Sequence, residues 1–337
     1  MATPLSASLS TLTTLITHCR ASLAAASTSA ASTSAASTSA APPPASFDAL
    51  AALHSTATLA RAHITNLSVT LRPPITSGGV EKFTSELSST IIPSLTAAAC
   101  SLSAAAHGRA LTLEARAATD SLLAAIGEYI AAVAGGRGDA RLPNTGVVWS
   151  AADRVLKLRE LGNGGVVERD VGAWAECVDD AREELKGWVE DEDLDGSESE
   201  GDEDEMEQEF WDRPTRKGRL DEATRKRAEE ALRLLKLVTI LFGAARKRRL
   251  LGDARLKEDV NRVDGIAEAA KNISRLVDDV GMAFYEDEDL EDVDRKRDEL
   301  VKKAVELAEL CVLGNQQEKD GYSAWFENCK ATLQKST

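Results

Sequence analysis

Aromatic side chains make up only 4 % of this sequence, and histidine occurs four times in 337 residues. Few aromatics beside abundant alanine suit close-packed helices better than sheets, whose pleated surfaces favour aromatic and β-branched residues. The histidines (His18, His54, His63, His107) all lie in the N-terminal half, and no HExxH, GxSxG or P-loop pattern occurs. Without convergent acids, bases or nucleophiles the chain reads as non-enzymatic, with no cofactor and no metal. Five cysteines (Cys19, Cys100, Cys177, Cys311, Cys329) are odd in number, far apart and without a CxxC pair. That argues against a disulfide framework or zinc site and for a reducing intracellular compartment. No apolar run approaching the ~20 residues of a membrane span is evident. The first 45 residues lack acids and are rich in serine, as transit peptides are, but Arg20 is their only basic residue, which argues against that reading.

Charge of one sign is concentrated in one place. Residues 190–209, EDEDLDGSESEGDEDEMEQE, hold thirteen acids and no base, and supply nearly all of the net charge of −15. Like charges in a block repel and bury nothing, so the run is expected to be a disordered linker between two folded halves. Ser197 and Ser199 lie within it, each with an acid three positions on (Glu200, Asp202), as acid-directed kinases require; both are candidate phosphorylation sites.

Elsewhere the apolar residues keep a helical 3/4 rhythm. Leu5, Leu9, Leu12, Ile16, Cys19 and Leu23 predict an N-terminal helix over 1–25, followed by a low-complexity Ser/Thr/Ala linker over 26–45. Within 46–189 the spacing predicts long helices: one ending at Pro73-Pro74, one with a kink at Pro93 and a turn near Gly108, and one from Leu111 to Val133. Thr145 is a candidate N-cap for the helix that follows. After RELGNGG, Val167, Val171, Trp174, Val178, Ala181, Leu185 and Trp188 show the strongest periodicity. Beyond the acidic linker at 190–209, residues 210–337 predict four more helices, the last carrying Tyr322, Trp325, Phe326, Cys329 and Leu333. The fold class expected is all-α: two up-and-down bundles of long amphipathic helices.

Three stretches carry a resemblance: TGVVWSAADRVLKL, the amphipathic helix leading into the acidic segment, and VDGIAEAAKNISRLVDDVGMAFYEDED. From about Val80 to the C-terminus the chain resembles the cyclin-D-type-binding protein family, also called the GCIP family, as a divergent, fungal- or algal-like member; the Ser/Thr/Ala repeat departs from it. The resemblance implies an all-helical, non-enzymatic protein of nucleus and cytoplasm. It would bind other proteins, cyclin-type or transcription regulators, to restrain cell-cycle progression and transcription.

The residues leave other readings open. The acidic run could itself bind basic proteins, as in a nuclear chaperone, and long bundles also suit a cytoskeletal adaptor. Arg225-Lys226-Arg227 and Arg246-Lys247-Arg248-Arg249 fit a nuclear-import signal, but the second cluster equally fits cations at the negative end of a helix macrodipole. Direct nucleic-acid binding is disfavoured by the net charge. Gly218, Asp221 and Glu222 interrupt the continuous basic region a helix-loop-helix protein would need. Cys177, next to Val178, is expected to be buried and inert. The EDEDLED turn lacks calcium-loop spacing. Tyr322, Trp325 and Phe326 are candidate partner anchors, since a short terminal helix must dock on something and aromatics dominate interface energetics; the alternative is that Trp325 caps the core of its own bundle, as large aromatics are usually buried.

Overall fold

The computed structural model describes residues 4–32, 47–72, 77–135, 141–194, 221–251, 259–285, 290–314 and 318–335, and helices form the regular structure throughout, with no strand among them. In order they are α1 (Pro4–Ser32), α2 (Ala49–Thr70), α3 (Ser77–Glu86), α4 (Ile92–Ser101), α5 (Ala104–His107), α6 (Arg109–Ala134), α7 (Arg141–Leu194), α8 (Glu222–Ala245), α9 (Val260–Tyr285), α10 (Leu290–Val312) and α11 (Ser323–Gln334). They divide into two units, Met1–Val166 and Val167–Thr337. Both are helical, as expected. Ser197, Ser199 and most of the acidic run lie outside the described residues.

In the first unit α1 packs on α3, α4 and α6, and α2 on α3 and α4. Leu9, Leu12, Ile16 and Leu23 of α1 join Leu53, Ile64 and Leu67 of α2 and Leu122, Ile126 and Tyr129 of α6 in one core. Each such apolar side chain, taken fully out of water, contributes about 1.5–3 kcal/mol. α1 is therefore part of this bundle rather than a separate element, and it runs seven residues past position 25, into the Ser/Thr/Ala repeat. Alanine sustains the helix there, Ser27 Oγ donates to the Leu23 carbonyl at 2.9 Å, and Arg116 of α6 donates to the Ala26 carbonyl at 2.8 Å.

The irregularity expected at Pro93 takes the form of a π turn, Leu87–Ile91, immediately before α4. Proline has no N–H and its ring crowds the carbonyl four residues back, so the preceding turn widens. α6 is long and apolar enough to cross a membrane by length and composition alone, unlike the sequence expectation. Its apolar side, however, faces the bundle, with Leu111, Leu122, Leu123, Ile126 and Ile130 buried.

The two helices expected on either side of RELGNGG meet end to end within α7, at a kink where Gly162 is non-helical (φ 58°, ψ −171°). One boundary differs from the sequence reading. The first bundle closes at Val166, not at 189, because Val167, Val171, Val178 and Leu185 bury their side chains in the second unit. There Arg246, just after α8, donates to Glu168 (Nε, 3.0 Å), and the Trp188 ring lies 5.8 Å from that of Phe284 and 5.9 Å from that of Tyr285. In the same unit α10 packs on α8, α9 and α11. Cys177 is exposed rather than buried. Val178 takes the inward position, and one step of about 100° along the helix turns its neighbour to solvent.

Candidate functional site

α8 begins at an Asp221 cap and ends in a second π turn, Arg246–Leu250. The four consecutive cations there radiate to different fates. Arg246 pairs with Glu168. Lys247 is exposed. Arg249 is fully buried, the largest side chain in the second unit to be so.

A buried guanidinium is tolerable only if its donors are met. Arg249 meets them through Nε to the Cys311 carbonyl at 2.7 Å, and through Nη1 and Nη2 to the two carboxylate oxygens of Asp320 at 2.6 and 3.0 Å. Arg262 of α9 adds bonds to the carbonyls of Leu310 (2.9 Å) and Gly314 (2.6 Å). Two arginines thus satisfy the end of α10, where unpaired carbonyls and the negative pole of the macrodipole coincide. Asp320 in turn accepts from the backbone N–H groups of Tyr322 (2.9 Å) and Ser323 (3.0 Å), so one carboxylate joins α8, the end of α10 and the start of α11. The Arg249 hydrogen bonds hold its pKa well below the usual carboxylate range, helped by the Tyr322 N–H and the Ser323 hydroxyl. Burial pushes the Cys311 thiol up to about 12, so it is inert.

Arg248 lies against the aromatics of the last helix. Its guanidinium carbon lies 4.5 Å from the Trp325 ring centroid and 5.4 Å from that of Tyr322, within cation–π range. No carboxylate pairs with Arg248 or Lys247 among the described residues. Trp325 is half-buried and meets Phe326 edge-on at 5.0 Å. Tyr322 is 49 % exposed, whereas Phe326 is fully buried. Of the three candidate anchors, then, Tyr322 and Trp325 share an accessible platform and Phe326 belongs to the core. Of the 246–249 cluster, carboxylates engage Arg246 and Arg249 and leave Lys247 and Arg248 without one among the described residues. In the first cluster Arg227 pairs with Asp294 at 3.0 Å, while Lys226 is exposed.

In the first unit, the TGVVW stretch lies along α2. Thr145 is internal to α7 rather than its cap, because the helix starts at Arg141; its hydroxyl donates to that of buried Ser68 at 3.4 Å. Trp149 Nε1 donates to Thr65 at 2.9 Å, and Arg61 both lies over the indole (5.8 Å) and pairs with Asp153 at 2.6 Å. Val69, Val147 and Trp149 remain exposed at 55, 57 and 39 %. Hydrophobic rhythm alone could not find these contacts; an antiparallel register of α2 with α7, in which partner numbers sum to nearly a constant, would have.

Accessible aromatic and basic surface on a helical scaffold is the equipment of a protein-interaction module. Residues 52–191 match the family described as Grap2 and cyclin-D-interacting, N-terminal. Over that segment, less than half of the 337 residues, the chain is similar to the GCIP family. The matched segment starts ahead of Val80 and continues past Val166 into the last turn of α7. A curated relative, an uncharacterized protein of Schizosaccharomyces pombe, is 28 % identical over 302 residues, 85 % of each chain.

Proposed function

We propose that this protein is a non-enzymatic regulator that works by binding other proteins, with cyclin-type or transcription regulators as partners, in nucleus and cytoplasm. The observation that carries the reading is the platform of Arg248, Tyr322 and Trp325, where the residue types that most often anchor interfaces are gathered at one end of a rigid bundle. The family name supplies the partner class. Isothermal titration of the full chain with a purified D-type cyclin tests it: binding that weakens with Trp325→Ala and Tyr322→Ala, while the Tyr322→Ala melt is unchanged, supports the reading. Absence of binding, or binding indifferent to both substitutions, removes it.

An acidic chaperone remains the competing class, because the 190–209 run supplies most of the net charge. Deleting 195–205 separates the two. A chaperone loses its basic partners, whereas binding through the Trp325 platform persists.

A further inference from the structure

We infer that Lys247, Arg248, Tyr322 and Trp325 form the docking face for an acidic segment of a partner protein, one that brings carboxylates together with an aliphatic side chain. This rests on the interaction reading above and specifies the chemistry of the partner. Of the four cations in the π turn, Arg246 and Arg249 each have a carboxylate, Glu168 and Asp320. Arg248 and Lys247 have none among the described residues, in a protein whose net charge is −15. A guanidinium on an indole face is held in one plane with donors still available. Its ordering cost is met before a partner arrives, and its fork fits a carboxylate.

Apolar surface accompanies the charge. Leu251, two residues beyond Arg249, is 63 % exposed, and Leu313, next to the Val312 whose carbonyl accepts from Arg249 at 3.4 Å, is 36 % exposed. With Tyr322 they place uncovered carbon at the same end of the bundle as the two uncompensated cations. A basic partner would meet like charge, and a neutral one would leave Arg248 without an anion once water is excluded. A nucleic acid is the less suitable polyanion, since two cations neutralise few phosphates and the acidic protein repels the rest.

The test is fluorescence anisotropy on the full chain with three labelled probes: a short synthetic peptide of Glu, Asp and Leu, the same peptide with each acid replaced by its amide, and a single-stranded oligonucleotide. The expected result is that the acidic peptide binds, weakens on raising salt from about 50 to 200 mM, and loses about tenfold in affinity in Arg248→Gln with the melting curve unchanged. Arg248→Lys should restore only part, since it keeps the charge and loses the planar fork. Equal binding of the amide peptide overturns the acidic inference and leaves the surface standing. Tighter binding of the oligonucleotide reassigns the face, and no peptide binding, or Arg248→Gln without effect, also overturns it. If the cyclin titration still responds to Trp325→Ala in those cases, this inference falls alone; if it does not, the functional reading falls too.

Discussion

The Asn163 amide lies directly against Gly108: a Cβ added to the glycine would stand 2.0 Å from Asn163 Cγ. Asn163 Oδ1 accepts from the Leu111 N–H at 3.0 Å, so a residue of α7 satisfies a donor at the start of α6, 52 positions away in sequence. Gly108 has φ 92°, which a side chain disfavours even without the clash. Gly108→Ala is therefore expected to cost about 2–4 kcal/mol, and Asn163→Ala about 1 kcal/mol as a lost cap. Removing the amide also removes the obstacle, so the double variant should be more stable than the sum of the single losses predicts. Denaturant midpoints give the cycle; strict additivity would mean the two residues do not meet.

Arg249 and Asp320 should respond unequally to removal. Asp320→Ala strands a fully buried cation and is expected to cost about 3–5 kcal/mol. Arg249→Met leaves a carboxylate whose side chain is still a third exposed and still bonded to two N–H groups, so its cost should be smaller. A chemical-denaturation series in which the methionine variant is the less stable would contradict this assignment.

The same pair gives a pH dependence of definite sign. Asp320 is depressed in the folded state, so its contribution is fully present above the unfolded carboxylate value, about 3.9, and is lost as pH falls below it towards the lower folded value. Urea midpoints of the wild type and Asp320→Asn should differ most at pH 5 and above and converge below about pH 4. Partial exposure of the carboxylate screens the effect. A gap that widens on acidification would reverse the sign and refute the argument.

Phe326 and Tyr322 should part company. Phe326→Ala opens a cavity in a sealed core, for about 3–5 kcal/mol, whereas Tyr322→Ala, at a position 49 % exposed, should stay within about 0.5 kcal/mol apart from its lost cation–π contacts. Thermal melts of the two variants decide it, and similar losses would place Tyr322 in the core as well.

Much of the fold was legible because the information is local. Leu9, Leu12, Ile16 and Leu23 declare their helix by spacing alone, as do Val171, Val178 and Leu185. What escaped is non-local. Nothing near Arg249 in sequence distinguishes it from Lys247; its partners Cys311 and Asp320 lie 62 and 71 residues away. The Gly-rich GNGG stretch marked the break between two helices, which falls at Gly162, but could not show that Asn163 meets the start of α6, 52 positions away. Tyr322 and Trp325 were visible as aromatics on a short helix, but only three-dimensional packing separates them from Phe326, one residue further along.

The division at Val166 falls inside the stretch that matches the family, which ends at residue 191. Expressing the family segment by itself would therefore carry residues 167–191 away from α8 and α9. Val167, Val171, Val178 and Leu185 would then form a sticky seam exposed to water, prompting self-association through side chains that the full chain keeps buried. A recombinant piece ending at Val166 would leave that seam behind, and of the two it is the one expected to elute from gel filtration as a monomer.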